Sequence, residues 1–327
     1  MTIQRIRELQ REISIMKQKM FIDDNIAVWT LGERSKCDIH INEWSIPTGE
    51  SYLDLGIRIY NSSKINGFYV YISYSITKDE VEDLSELLSS EKVARGIFNT
   101  PCKIKYSTNH PFIELEISGS KQSVIKLSFI EFTTEKTGDG TVLFFPLDAI
   151  RNQEIQNVIY IRFRIPHKSI NKLYHAKNGD IGDLFSTPIV AEQYDYALKI
   201  NEFRSIPLKT ADTLCQNTLV IRKILVVMAI SRKYFIDDQE CYKVRLLERD
   251  LYNSYVPNKF DCGNSIVYQW EKKRMDKCTF SFKITSEGIS KKSLIMYILI
   301  LVAVSLTTNA LWDGIKWGFT LIVNIFK

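Results

Sequence analysis

The sequence has almost no excess of charge of one sign. Its 327 residues include 43 Lys+Arg and 38 Asp+Glu, a formal net charge of +5. This balance excludes a histone-like polycation, whose affinity for nucleic acid would rest on counterion release alone. With 45% hydrophobic and 25% charged residues, the composition also excludes an intrinsically disordered chain, because the chain carries enough apolar side chains to form a core.

Motifs of common enzyme classes are absent as well. The sequence contains no P-loop, no G-x-G-x-x-G after a strand, no G-x-S-x-G elbow and no H-E-x-x-H. The 4 histidines lack metal-ligand spacing and the 6 cysteines form no C-x-x-C pair, which argues against zinc. Cys262 lies in a loop and could act as a nucleophile, but no motif accompanies it. We therefore predict no catalytic residue, no metal site and no cofactor.

A strand pattern dominates residues 21–290. Short runs rich in Ile, Val, Tyr, Phe and Thr alternate with turn residues, and no βαβ alternation occurs. The pattern predicts a mainly β fold, either a β-sandwich or two packed β lobes with a boundary near 166–190. The clearest predicted strands are Ile26–Leu31, Cys37–Trp44, Tyr52–Tyr60, Phe68–Ile76, Phe112–Ser118, Ser123–Thr133, Val142–Leu147, Ile155–Ile165, Ala191–Phe203, Thr218–Ile230, Cys241–Leu251, Ile266–Trp270 and Thr279–Ile284.

One internal helix and two hairpin turns are predicted within this region. Thr77 and Glu80 have the spacing of a capping box, and an apolar helical face follows before Gly96. That face comprises Val81, Leu84, Leu87 and Leu88. Asn66-Gly67 and Gly138-Asp139-Gly140 are strong hairpin signals.

The predicted strand around residues 158–165 has a basic face. Tyr160, Arg162 and Arg164 alternate with apolar residues, and His167 and Lys168 follow. Two arginines beside a tyrosine suit a phosphate group or a stacked base, so this face is a candidate site for a nucleotide or nucleic acid. Alternatively, it is the solvated outer face of a sandwich strand.

A second pair of basic residues could extend that face. Lys103 and Lys105 alternate along another predicted strand. If that strand lies nearby, both lysines would add to the anionic ligand site.

The first 20 residues predict an amphipathic helix. Its apolar positions are spaced 3, 4, 3 and 4 apart, as in the seam of a short coiled coil. They are Ile6, Leu9, Ile13, Met16 and Met20. This helix either mediates oligomerisation or packs on its own domain.

A long uncharged stretch lies near the end of the sequence. Leu294–Trp312 contains no charged residue, and as a helix it would be about 28 Å long, close to the hydrocarbon thickness of a bilayer. We predict a transmembrane helix, with a buried core helix or a subunit contact as the alternative. Lys291 and Lys292 precede it, and the first residues lack the apolar region of a signal peptide, so the large body is expected in the cytoplasm.

The last residues predict a second, shorter helix over 315–326. It is amphipathic, and it suits an interfacial helix, a thin second span, or a pore-lining segment in an oligomer. In the third case, polar residues of both helices would face water. These candidates are Ser305, Thr308, Asn309, Lys316, Thr320 and Asn324.

The whole arrangement, a β-rich body followed by the apolar segment Leu294–Lys327, resembles membrane-damaging effectors of bacterial anti-phage defence found in retron and cyclic-nucleotide systems. The resemblance implies a cytoplasmic body that senses a ligand or partner, and tail rearrangement that permeabilises the inner membrane. The expected partners are the membrane and either further copies of the chain or a protein encoded nearby. Two other functions remain open, a tail-anchored adaptor or scaffold and a membrane-tethered enzyme with a divergent site.

Overall fold

A computed structural model describes residues 21–45, 50–106, 109–151, 155–171, 190–238, 240–258, 260–287 and thirteen helical positions within 295–316. Lys19–Ala176 and Tyr194–Ile284 form one compact unit, which we call the body. The predicted N-terminal helix, with its five heptad positions, lies outside the described residues.

One sheet of the body has seven strands. They lie in the order β14-β17-β12-β1-β4-β10-β9. Their bounds are β1 Phe21–Trp29, β4 Gly67–Ile72, β9 Thr133–Thr137, β10 Gly140–Pro146, β12 Val190–Ile200, β14 Tyr234–Asp237 and β17 Cys278–Glu287.

The other sheet has ten strands. Nine lie in the order β15-β16-β13-β2-β3-β11-β8-β7-β6, and β5 pairs with β11 beside this path. Their bounds are β2 Ser35–Trp44, β3 Tyr52–Tyr60, β5 Glu82–Asp83, β6 Cys102–Lys105, β7 Phe112–Ile117, β8 Ser120–Ile125, β11 Val158–Pro166, β13 Leu219–Ser231, β15 Lys243–Leu246 and β16 Ser265–Lys273.

The helices of the body are short and connect or cover strands. The α-helices are α1 Glu91–Phe98, α2 Asp148–Arg151, α3 Lys168–Asn171, α4 Leu208–Cys215 and α5 Arg249–Tyr252. The 3₁₀ turns are Ser62–Lys64, Lys78–Glu80, Glu86–Ser89, Leu127–Phe129, Phe203–Ser205 and Cys262–Asn264. The predicted mainly β fold of two packed sheets is confirmed. Among the described residues, no helix combines the length and the apolarity needed to cross a membrane.

Three apolar clusters hold the body together. The largest lies between the sheets and includes alternate residues of β2, such as Ile39 and Ile41. A second cluster covers the outer face of the ten-stranded sheet with α1 and α5, where Tyr252 donates a hydrogen bond to the Gly96 carbonyl at 2.6 Å. The third places Leu214 of α4 against β1. The centre of the ten-stranded sheet is therefore buried on both faces.

The two halves of the body are fused rather than separate. Strands from before and after residues 166–190 share both sheets, joined by the parallel pairs β1·β12 and β2·β13. The order is symmetrical about these pairs, since β4 flanks β1 as β17 flanks β12, and β3 flanks β2 as β16 flanks β13. The body thus combines both predicted architectures: it is one sandwich built from two corresponding sets of strands.

Some local predictions of turns, helix and strand are confirmed and others are wrong. The Thr77–Glu80 capping box forms, but it caps a single 3₁₀ turn, and the helix begins only at Glu91. The Gly138 hairpin between β9 and β10 is confirmed. The Asn66-Gly67 hairpin is wrong, because β3 and β4 belong to different sheets and the chain crosses between them there. The predicted strand 241–251 ends at Leu246, before α5.

Asn201 extends the parallel seam between β1 and β12 beyond its last strand pair, Ile26 with Ile200. Its side-chain Oδ1 accepts a hydrogen bond from the Val28 amide at 2.8 Å, and its backbone amide donates to the Ile26 carbonyl at 2.9 Å. The residue has a left-handed backbone, with φ 55°, which asparagine tolerates better than most residues. One residue therefore both ends β12 and ties it to β1.

We expect Asn201→Ala to lower the free energy of unfolding by about 2 kcal/mol more than Asn99→Ala does, because a buried amide of Val28 loses its acceptor. Asn99 is a matched control, since it is exposed and also left-handed, with φ 51°. Urea unfolding of both variants measures the difference. Equal losses would show that the cost comes from the backbone conformation alone.

Candidate functional site

The basic face predicted on β11 is buried. Tyr160, Arg162 and Arg164 point away from the main core, as strand alternation predicts, yet Tyr160 and Arg162 are 0% exposed and Arg164 is 4% exposed. Tyr255, in the loop after α5, covers both guanidinium groups, with ring contacts of 5.4 and 5.5 Å. This face is therefore neither solvated nor open to a ligand, and it forms an internal polar network instead.

The Asp54 carboxylate on β3 is the centre of this network. Arg164 lies opposite Asp54 in the β3–β11 pairing and binds both of its oxygens, with Nε–Oδ1 at 2.7 Å and Nη2–Oδ2 at 3.1 Å. Trp44 Nε1 and the Tyr255 hydroxyl each donate to Oδ2 at 2.7 Å. Burial raises the pKa of Tyr255 well above its usual value, so this tyrosine stays a neutral donor. Asp54 thus fastens the outer layer to the sheet.

Arg162 completes the network on the other side of Tyr255. Its Nε donates to the Tyr255 hydroxyl at 2.5 Å and its Nη1 to the Tyr160 hydroxyl at 2.8 Å. Gly56, opposite Arg162 on β3, makes room for these groups, since a Cβ there would lie 2.1 Å from the Tyr160 hydroxyl and 2.7 Å from Arg162 Nη1. The prediction that Tyr160, Arg162 and Arg164 hold an anionic ligand is thus corrected: their partners are Asp54 and Tyr255.

Removing the Asp54 charge should destabilise the body strongly. Asp54→Asn leaves the buried Arg162 without a carboxylate and Arg164 with only the exposed Glu82, 3.6 Å away. We therefore expect the free energy of unfolding to fall by about 3–5 kcal/mol. Asp139→Asn, in the exposed turn between β9 and β10, is the control and should stay within about 0.5 kcal/mol. Urea midpoints compare the two. A similar small loss in both variants would contradict a central role for Asp54.

His167 belongs to a different cluster, between the two sheets. Its Nε2 lies 2.7 Å from Asp24 Oδ2, and its Nδ1 lies 3.5 Å from Glu43 Oε1. The Tyr196 hydroxyl donates to Glu43 Oε2 at 2.8 Å, and the Tyr74 ring stacks on the imidazole with centroids 5.9 Å apart. Asp24, Glu43, Tyr196 and His167 thus connect β1, β2, β12 and the end of β11 inside the main core.

This cluster holds protons that an unfolded chain would release. Burial raises the pKa of Glu43 to about 7. Burial alone would lower the pKa of His167, but the carboxylates of Glu43 and Asp24 outweigh it and raise that pKa. Both pKa values are raised in the folded state. Above the ordinary pKa of each group, the folded state therefore binds more protons than the unfolded state.

The stability contributed by Glu43 should therefore decline as pH rises from its ordinary pKa of 4.5 towards about 7. Relative to Glu43→Gln, the unmodified chain should lose up to about 1.4 kcal/mol per pH unit in this window. Glu80→Gln is the control, because the hydrogen bond from Lys168 lowers the pKa of Glu80, so its contribution is already complete above its ordinary pKa of 4.5 and should stay constant across this window. Urea unfolding of both variants at pH 5 and pH 7.5 tests the contrast. A pH-independent difference for Glu43→Gln would contradict the proton-holding cluster.

The remaining residues of the predicted ligand face are dispersed. Lys168 lies at the surface of α3, where its Nζ is 2.7 Å from Glu80 Oε1. Lys103 and Lys105 lie on the edge strand β6, separated from β11 by β7 and β8, which is about 14 Å at the usual strand spacing. The sequence pattern therefore grouped residues that the fold places in separate environments.

The candidate nucleophile Cys262 and the imidazole of His40 are both buried. No group of three His, Cys, Asp or Glu residues in the described part of the chain is arranged to hold a metal ion. Cys262 is 5% exposed and burial raises the pKa of its thiol, so it lacks the thiolate character of a nucleophile. Burial also lowers the pKa of His40, the histidine nearest Tyr160, well below its usual value.

The described positions of the C-terminal segment are helical, and their side chains are exposed. Nine large apolar side chains there are 50% to 64% exposed. They are Ile295, Ile298, Leu299, Leu301, Val302, Val304, Leu306, Trp312 and Ile315. Of the predicted pore-lining residues, Ser305, Thr308 and Lys316 are described and exposed. The other three, Asn309, Thr320 and Asn324, lie outside the described residues.

No protein-family model matches the chain, and no curated protein matches it at a significant level. Its function is therefore inferred from the side chains and their surroundings.

Proposed function

We propose that this protein is a membrane-anchored effector of bacterial anti-phage defence. In this proposal the β-sandwich body lies in the cytoplasm and senses a ligand or partner. The C-terminal helices sit in the inner membrane and disrupt it on activation. The observation that carries the proposal is the set of exposed apolar side chains at the described helical positions within 295–316.

This surface is apolar on more than one side of the helix. Ile298, Leu299, Leu301 and Val302 are each at least 50% exposed, and at 100° per residue they point in different directions. Each of these side chains has about half of its surface in water and so forgoes about 1 kcal/mol of the roughly 1.5–3 kcal/mol that full burial supplies. A helix that is apolar on several sides needs a surrounding apolar medium, which a bilayer supplies.

Polar groups in the same segment are compatible with a lipid environment. The hydroxyls of Thr307 and Thr308 donate to the Val304 carbonyl at 2.9 and 2.8 Å, so the helix itself satisfies them. The Lys316 ammonium lies 5.7 Å from the centroid of the Trp312 ring. Tryptophan and lysine commonly occupy the membrane–water interface together.

The body supports a sensing role. Its titratable groups with strongly perturbed pKa values, such as Glu43 and Tyr255, are buried in self-contained networks. In this proposal the body acts as the recognition unit and the membrane segment as the output. An adaptor whose tail only localises the body is the main competing function.

Membrane attachment should depend on the apolar helix. Replacing Leu299 and Val302 together with Asp adds about 2.5–3.5 kcal/mol per residue to the cost of insertion, so most of the chain should leave the membrane fraction. Leu208→Asp with Val244→Asp changes two exposed apolar residues of the body and should remain in the membrane fraction. Carbonate extraction of bacterial membranes followed by immunoblotting distinguishes the two. Equal partitioning of both double variants would contradict attachment through this helix.

Membrane damage is tested in the same cells with a potential-sensitive dye. Induced expression of the unmodified chain, together with its neighbouring genes and under phage challenge, should depolarise the membrane. A chain in which Leu294–Lys327 is replaced by an unrelated single span should insert without depolarising it. If both chains leave the potential intact, the effector proposal fails and the adaptor function is favoured.

A further inference from the structure

A pocket of about 560 Å³, lined by apolar and polar side chains, lies at one end of the sandwich. The turn between β1 and β2, the connection from β12 to β13, and the turn between β16 and β17 meet there. Its lining includes the exposed side chains of Arg34, Lys277 and Asp276, together with Phe203 and Thr218. The pocket therefore sits on the seam between the two corresponding sets of strands.

Positive charge is left unneutralised around this pocket. Within the part of the chain that the structure describes, neither Arg34 nor Lys277 is in an ion pair, and the same holds for Lys36 and Arg274. Lys36 lies opposite Val220 of the pocket wall, and the Arg274 amide donates to the Arg222 carbonyl at 2.9 Å.

Neighbouring basic residues, in contrast, take part in ion pairs. Lys223 and Lys273 both pair with Glu271 at 2.9 Å, and Lys272 pairs with Glu240 at 2.8 Å. Asp276 is the carboxylate among the lining residues, so the charge at the pocket favours an anion.

The wall of the pocket is held in place before any ligand arrives. Asn217 Oδ1 accepts hydrogen bonds from the amides of Thr30 and Leu219 at 3.1 and 2.8 Å. The Thr218 hydroxyl donates to the Thr30 carbonyl at 3.3 Å. These bonds fix the connection from β12 to β13 against the end of β1. Ligand pockets are usually preformed in this way, so little ordering is needed on binding.

One side of the pocket offers an aromatic surface. Phe203 is 39% exposed, which is high for a large apolar side chain beside a core. An aromatic ring next to unpaired cations suits a ligand with a planar group at one end and phosphate at the other. The volume lies within the usual range of about 300–1,000 Å³ for small-molecule sites.

We propose that this pocket binds a small phosphate-bearing ligand of nucleotide size. Arg34 and Lys277 hold the phosphate, Phe203 packs against the planar group, and Asp276 accepts a hydrogen bond from a sugar hydroxyl. The site does not depend on the proposed membrane function, because ligand binding to the pocket can be measured whether or not the C-terminal segment damages a membrane.

Isothermal titration of the full-length chain in detergent tests the pocket with three probes: ATP, inorganic triphosphate and glycerol phosphate. ATP should bind more tightly than triphosphate, and triphosphate more tightly than glycerol phosphate. Arg34→Ala with Lys277→Ala should weaken both ATP and triphosphate at least tenfold, because each removes a charge-assisted hydrogen bond. The control variant Lys103→Ala with Lys121→Ala removes two exposed charges from β6 and β8 of the ten-stranded sheet, away from the pocket. It should leave the affinities unchanged.

Phe203→Ala separates the aromatic contact from the phosphate contact. It should weaken ATP binding towards that of triphosphate and leave triphosphate binding as it was. Glycerol phosphate binding as tightly as ATP would assign the phosphate to a lipid headgroup and overturn the nucleotide class. Absence of ATP and triphosphate binding at millimolar concentration, or equal binding by the Arg34 and Lys277 double variant, would overturn the site itself.

Discussion

The body depends on one buried carboxylate, that of Asp54. A strand carrying two arginines, Arg162 and Arg164, could not occupy the middle of a sheet covered on both faces unless a buried anion balanced them. Asp54 supplies that anion: Arg164 donates to it directly, and the Tyr255 hydroxyl, which accepts from Arg162, donates to it as well. The outer layer that carries α1 and α5 is therefore fixed by polar bonds as well as by apolar packing, and this layer seals the second core.

The two buried polar networks have different consequences. The Asp54 network consists of two arginines held by hydrogen bonds to the Asp54 carboxylate and to Tyr255. The His167 network between the sheets combines an imidazole with two carboxylates, and burial raises the pKa of Glu43 to about 7. Proton binding there is linked to the contact between the sheets, since the members come from both of them.

The sequence predicted much of the fold because alternation is a local signal. Tyr52–Tyr60 has the same bounds in prediction and structure, and β11 presents its apolar and polar residues on opposite faces as expected. What covers a face is not local. Tyr255 lies 91 and 93 residues beyond Arg164 and Arg162, and nothing near β11 indicates it. The hairpin predicted at Asn66-Gly67 was wrong for the same reason, because a local turn signal does not indicate which sheet the next strand joins. The pocket was missed since its lining comes from three distant turns.

The parallel seam described at Asn201 bears on how the chain acquires its structure during synthesis. Val28 and Asn201, which close that seam, are 173 residues apart, and contacts so distant in sequence form slowly. Neither sheet can be completed until β12 and β13 have left the ribosome, so the edges of β1 and β2 facing those strands stay unpaired until then. Only β14 to β17 then precede the apolar C-terminal segment. The sandwich is thus completed at nearly the same time as the apolar C-terminal segment is synthesised. Nascent chains that stall before β12 should be the ones most prone to aggregate.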